Sequence, residues 1–470
     1  MSREMGSSCA RTVRGTLPLR KNPPSKTRNG PRESTLVLEG CRVWTPTGLI
    51  TASVLICEGR IARIGHHLPG NAGETLRVRG LVAFPGMIDA HVHLRDLDLS
   101  YKEDFTSGTA AAAAGGFTTV LDMPNTMPPT DSATRLDEKI ERARRKILTN
   151  VGFHVAAVPK AAEVTRMSRL GAYSLKLYMP KPISPLNIQD DKTILTLLQS
   201  SVKSDIGVTV HAEDQSVIRR PDIKESGSFI ELAKGRPEQA ELQAVDRILR
   251  LAAKAGSYVH LAHLTLPSSI VAARNYRHAS TEVTPHHVFL SEKTIKKEKW
   301  KAWMVPPLRS ERVRKNLLAL LSKGLVTMIA SDHAPHTIEE KRGAVAESPP
   351  GVPGLETTLP LMLTLVTRKI LSMELLVQLL SSNPAHVFNL PRKGRLAKGF
   401  DADIVLVDLK RKTRIRPERF HSKAKYSPFE NMTVQGRVHT TIVGGSVVLQ
   451  DGDIVGKPGS GRVMKRGVLG

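Results

Sequence analysis

The sequence predicts an α/β protein: a (β/α)8 barrel carrying a small composite β-sandwich built from both ends of the chain. Three observations predict it. From Phe84 onward, apolar strand-like runs alternate with helical stretches, and the runs end near His91, Asp122, Ala157, Leu177, His211, His263, Thr284 and Asp332, eight in all. Several of these ends carry His, Lys or Asp, the residue types a barrel displays at the C-terminal mouth of its strands. Short β runs occupy both flanks of the chain, and each flank alone has too few strands to enclose a core.

Taken in order, residues 1–33 hold eight Lys or Arg against Glu4 and Glu33, are rich in Pro and Ser, and show no apolar periodicity. They read as a basic disordered tail without catalytic role. Residues 34–85 form the first part of the sandwich, with strands at Thr35-Leu38, Cys41-Trp44, Ala52-Cys57, Arg60-Ile64 and Leu76-Arg79 and turns at Glu58-Gly59 and Pro69-Gly70. The barrel spans 86–393, with helices predicted over 102–114, 136–148, 238–254 and 312–323 and a helical region over 359–390. Alternation returns at 403–407, 434–438 and 441–449, so 394–456 supplies the second part of the sandwich and 457–470 a basic tail.

Composition narrows the function. With 40% hydrophobic and 24% charged residues over 470 positions, the chain reads as a globular enzyme. No run of about 18 apolar residues suggests a membrane span. Cys9, Cys41 and Cys57 have neither disulfide-framework nor zinc-motif spacing, which points to a reducing, cytoplasmic setting. The net charge of +25 comes with only 4% aromatic residues, which argues against a nucleic-acid platform and fits a field that draws in acidic metabolites.

The chemistry lies at the strand ends. His91 and His93 are i and i+2 on one strand, so both side chains face the same way and can grip one ion. His211 in VTVHAED and His263 in VHLAHLT each close an apolar run. His263 is favoured over His260, which lies deeper in its strand. His286 and His287 are further candidates for the site lining. Lys176 in SLKLY points into the barrel; burial lowers a lysine's pKa, and the neutral amine can add carbon dioxide to become a carbamate that bridges two cations. Asp332 in ASDHAPH ends the last strand, where a carboxylate can bind metal and exchange a proton with water. Arg95 follows one pleat beyond His93. Together these predict a metal-dependent hydrolase.

FPGMIDAHVHLRD (84–96), YKEDFTSGTAAAAAGGFTTVLDMPNT (101–126), ASDHAPHT (330–337), GVPGLETTLPL (351–361), NPAHVFNL (383–390) and GRLAKGFDADIVLVD (394–408) carry a resemblance to the amidohydrolase superfamily and, within it, to the dihydroorotases of the type with a bridging lysine. It covers about Leu36 to Gly456. The resemblance implies two zinc ions per subunit, held by His91, His93, His211, His263, Asp332 and Lys176 as N6-carboxylysine. It implies Asp332 as acid–base and Arg95, Asn125 and His336 as the groups that hold a substrate carboxylate. The implied reaction is the reversible cyclisation of N-carbamoyl-L-aspartate to dihydroorotate in pyrimidine biosynthesis. Also expected are a homo-oligomer and an aspartate carbamoyltransferase partner. The rivals are an allantoinase, a dihydropyrimidinase or hydantoinase, and an inactive assembly subunit. This chain departs from the family at Arg95-Asp96-Leu97-Asp98, where R-x-P-G is usual, at Val305, where bacterial members often have Asn, and in MPKPIS after Lys176.

Overall fold

The computed structural model describes residues 35–66, 68, 73–180, 188–219 and 228–467. The expected basic tail 1–33, the turn at Pro69-Gly70 and most of the loop after Lys176 lie outside them.

Eight parallel strands form the barrel: β1 (Met87–Val92), β2 (Phe117–Asp122), β3 (Asn150–Phe153, continued by Val155–Ala156), β4 (Ser174–Tyr178), β5 (Gly207–His211), β6 (Val259–Leu261), β7 (Ala279–Val283) and β8 (Met328–Ile329). Each pairs with the next in register, for example Lys176 beside Thr209 and His260 beside Ser280. The ring closes where the His93 amide donates to the His333 carbonyl at 2.8 Å. Their side chains are buried almost throughout, because a parallel strand has helices on one face and barrel interior on the other.

A helix follows every strand: Phe105–Ala114, Ala133–Arg144, Ala161–Leu170, Asp191–Lys203, Glu238–Ala255, Pro267–Arg274, Glu311–Ser322 and Leu355–Thr367. The first starts three residues later than periodicity suggests because Asp104 caps it, its carboxylate accepting from the Ser107 amide at 2.8 Å. The region predicted as helical over 359–390 is divided, with Met373–Val377 and Asn383–Val387 beyond Thr367. Lys369 at φ 58° marks the break. No helix among the described residues is long and apolar enough to cross a membrane.

The flanking strands join in one nine-stranded sheet. Val82–Pro85 is its seam: it pairs parallel with Thr35–Thr45 from the first flank and antiparallel with Ile404–Arg414 from the second. The flanks meet again where the edge strand Arg60–Gly65 reaches the approach to Ile404–Arg414, the Ile61 amide donating to the Phe400 carbonyl and Ala402 to Gly59. One apolar cluster therefore takes Leu38, Val54 and Ile56 from one flank and Ile404, Leu406 and Ile442 from the other. The segment expected as a C-terminal basic tail is docked as far as Gly467. The Val151 amide donates to Arg462, Met464 donates to Val151 and Arg466 to Gly171, so backbone hydrogen bonds along β3 hold a stretch whose composition suggested none.

Candidate active site

The C-terminal ends of the strands surround a cavity of about 210 Å³ lined by His91, His93, Arg95, Asn125, Lys176, Tyr178, His211, Arg236, His263, Val305, Asp332, Pro350 and Gly351, among others. Eight of the nine residues given a metal, acid–base or substrate role in the sequence line it. The ninth, His336, does not. A roomier hollow of about 370 Å³ opens at the opposite end of the barrel, near Tyr173, Gly207 and Tyr258, and contains none of them.

Donor atoms of His91, His93 and Asp332 lie within 4.8 Å of one another. Asp332 Oδ1 is 3.1 Å from His93 Nε2 and 3.4 Å from His91 Nε2. The His91 ring stands 5.2 Å from that of His263, which stands 4.5 Å from that of His211, so four imidazoles run around one wall. Lys176 approaches from β4 with its ammonium buried, without a hydrogen-bond partner among the described residues, and 5.2 Å from the Tyr178 ring. Two strand ends turn sharply to aim these groups: His263 at φ 38° and Asp332 at φ 46° both sit in the left-handed region.

The second nitrogen of three imidazoles is already taken. His91 Nδ1 meets Glu282 Oε1 at 2.9 Å, His93 Nδ1 meets Asn125 Oδ1 at 2.5 Å and His211 Nε2 meets Glu213 Oε2 at 2.7 Å. Glu213 is itself clasped by Arg236, whose Nη2 is 2.7 Å from Oε2. An acceptor on one ring nitrogen fixes the proton there and leaves the other with a lone pair, the arrangement that orients metal-binding histidines. Burial lowers His93 to about 4 and Lys176 to about 8. Burial would raise Asp332, but the His91 and His93 rings outweigh it and hold the carboxyl below its ordinary range. Neutral imidazoles, an ionised carboxylate and a buried amine without a hydrogen-bond partner among the described residues are a donor set that fits divalent cations such as zinc.

Arg95 is buried, at φ 58°, with Nε donating to the Pro335 carbonyl at 3.3 Å. Asn125 gives its oxygen to His93, which leaves its amide nitrogen as a donor toward a ligand. His336 stands one layer back. Lys102 Nζ is 3.3 Å from its Nδ1 and the Pro350 carbonyl 3.1 Å from its Nε2, so Nδ1 accepts and Nε2 donates, and Arg95 Nη2 lies 3.2 Å from the same Nε2. His286 and His287, in the short helix Pro285–Phe289, are buried off the cavity, His287 between Thr284 and the Pro306 carbonyl. His260 is likewise interior, between Ser280 and Glu282.

Glu282, Glu213, Arg236 and Tyr178 went unread in the sequence. Two had a signal. Glu213 stands two residues after His211, and Glu282 is a lone acid in the otherwise uncharged run ASTEVTP.

The model of the amidohydrolase family matches residues 82–448, which contain every residue of this site. The chain belongs to the amidohydrolase family, a family of hydrolases. It is 36% identical over 434 residues to the dihydroorotase of Methanothermobacter thermautotrophicus, covering 91% of this chain and 96% of that one. With the dihydroorotase of Bacillus cereus it shares 34% over 414 residues, covering 86% and 95%. Among solved structures it is similar to the L-hydantoinase (dihydropyrimidinase) of Arthrobacter aurescens, with a TM-score of 0.87, 29% identity and coverage of 92% and 99%. The dihydropyrimidinase of Brevibacillus agri NCHU1002 gives 0.85, 27%, 93% and 99%.

Proposed function

We propose that this cyclic amidohydrolase is a dihydroorotase, converting N-carbamoyl-L-aspartate to (S)-dihydroorotate and water, and the reverse, in pyrimidine biosynthesis. The observation that carries the reading is the buried Arg95 guanidinium in the wall of the cavity that also holds His91, His93, Lys176, His211, His263 and Asp332. A fork of donors there suits a substrate carboxylate, which dihydroorotate has and hydantoin, allantoin and dihydrouracil lack. The curated relatives named dihydroorotase support it.

His91, His93, His211 and His263 are the imidazole ligands of two zinc ions in this reading, with Asp332 and Lys176 completing the set. Lys176 serves as a carbamate, formed when its neutral amine adds carbon dioxide and sheds a proton. Two such cations would polarise the ring carbonyl and make water a nucleophile near neutral pH. In the hydrolytic direction Asp332 accepts the attacking water's proton and returns it to the departing ring nitrogen. The hydroxyl ends on the carbonyl carbon, and ring closure reverses each step. Arg95 and the Asn125 amide hold the carboxylate, so the reacting amide lies over Asp332.

The likeness to solved hydantoinases favours one other reading, hydrolysis of a neutral ring at the same site. Purified protein incubated with N-carbamoyl-L-aspartate, dihydroorotate, dihydrouracil and hydantoin decides between them. Turnover confined to the two acids is expected. Preference for a neutral ring would replace the dihydroorotase reading with the hydantoinase one.

A further inference from the structure

Four lysines are buried among the described residues: Lys139, Lys176, Lys341 and Lys393. Lys139 pairs with Asp122 at 2.7 Å, and Lys393 with Asp401 at 3.0 Å and Asp403 at 2.5 Å. Lys176 faces the candidate metal site. Lys341, near the end of the short helix Ile338–Arg342, has no carboxylate at ion-pair distance among the described residues. Its ammonium donates instead to the carbonyls of Trp303 at 2.9 Å, Pro349 at 3.0 Å and Gly351 at 3.0 Å. Three donors meet three acceptors. Burial pulls its pKa down to about 7, which reflects the cost of placing an ammonium where an apolar side chain would pack.

The three carbonyls belong to two segments that wall the cavity. Val305 lies two residues beyond Trp303, and Pro350 and Gly351 line the opening directly. Gly351 sits at φ 140° with its ideal Cβ position 2.5 Å from the Ala334 carbonyl oxygen, so this strap lies flat on the loop that follows Asp332. Its amide donates to Trp303 and its carbonyl accepts a second donor, Tyr426 Oη, at 3.2 Å. Between the two tied carbonyls, that of Pro350 accepts instead from His336 Nε2, which lies 3.2 Å from Arg95 Nη2.

We infer that Lys341 is a positioning residue for the substrate: its ammonium knots Trp303, Pro349 and Gly351 together, fixing the Val305 and Pro350-Gly351 walls and, through the Pro350 carbonyl, holding His336 against Arg95. The inference rests on the cyclic-amide reading of the site. Among the described residues no candidate metal-binding or proton-transferring group touches Lys341, so its loss acts on how substrate is held.

Steady-state kinetics, zinc content and thermal melting of Lys341→Met and Lys341→Arg test this. Lys341→Met keeps the bulk and removes the donors. It is expected to raise KM for dihydroorotate about 10-fold or more while kcat and zinc content stay within about twofold of the parent. Lys341→Arg should fall between the two. An unchanged KM, or a joint fall of kcat and zinc content, overturns the inference. Should Lys341→Met fail to fold, Tyr426→Phe removes one donor from the Gly351 carbonyl and leaves Lys341 in place. A rise in KM of about two- to fivefold at constant kcat is then expected, and no rise overturns the idea. If the parent hydrolyses a neutral ring and ignores dihydroorotate, the dihydroorotase reading fails, while the same KM ratio on that ring still decides on Lys341.

Discussion

Glu282 and His91 share a 2.9 Å hydrogen bond with both side chains shut off from solvent. The same carboxylate oxygen accepts from the His263 backbone amide at 3.0 Å, and the other oxygen meets His260 at 3.1 Å. Glu282 thus ties the β1 end of the candidate site to the β6 end. Burial raises its pKa, but His91 and His260 more than offset that and hold it well below the ordinary value, so it is an anion inside the barrel. An anion behind an imidazole raises the basicity of the far nitrogen, which is the nitrogen facing the cavity.

Replacing Glu282 with Gln keeps the volume and one acceptor but removes the charge. Zinc retention should weaken by roughly 10- to 100-fold, with the fold kept, because the outer partners of ligating histidines carry effects of that size. Dialysis against graded chelator followed by metal analysis reads this directly. Parent-like retention would leave Glu282 as a packing residue only.

Lys176→Ala removes an amine that is buried and has no hydrogen-bond partner among the described residues. The two cations would then lack the anion between them, so zinc content and turnover should fall together. A small carboxylic acid added to the buffer should restore part of both. Full zinc loading in the alanine variant would mean that Lys176 carries no bridge.

Asp332→Asn separates holding from reacting. The amide keeps an oxygen near His91 and His93 but cannot take up a proton. Zinc should stay nearly complete while turnover drops by roughly 100- to 10,000-fold, the range for loss of a general acid–base. Near-normal turnover in that variant would assign the proton transfer to another group.

What the sequence made legible follows from how barrels are written. A strand buried on both faces is an apolar run, and a polar residue that ends it stands at the mouth, so His91, His211 and Asp332 announce both element and site. The partners are another matter. Glu282 lies 191 residues from His91, and nothing local says that the two meet. His336 is expected at the substrate carboxylate, and its contacts with Lys102 and the Pro350 carbonyl, 234 and 14 residues away, have no local signal in the sequence. Helix starts shifted for a local reason that was readable in retrospect, the caps at Asp104 and Ser132. The docking of 462–466 was not readable, because backbone hydrogen bonds leave no mark on composition.

In the dihydroorotase reading Arg95 decides the substrate. Its guanidinium is buried in the cavity wall, oriented by the Pro335 carbonyl and by the His336 ring. It is followed by Asp96, whose carboxylate receives the Leu97 and Phe105 amides at 2.6 and 3.0 Å, Lys146 at 3.0 Å, and Arg142. That anchorage holds Arg95, Asp96 and Leu97 in the left-handed region, at φ 58°, 50° and 50°. The turn is therefore rigid, and a shorter side chain has little freedom to compensate. Arg95→Lys keeps the charge but exchanges a planar fork for a single ammonium. With charged hydrogen bonds worth roughly 1.5–3 kcal/mol, kcat/KM on dihydroorotate should fall about 10-fold or more. Zinc content should not change, since Arg95 is no ligand in this reading. Thermal melting of the variant supplies the control, because loss of the fork alone leaves the fold intact. A lowered melting temperature or zinc content would point to a general disturbance of the cavity, and full activity of the lysine variant on dihydroorotate would remove the argument for a carboxylate-specific site.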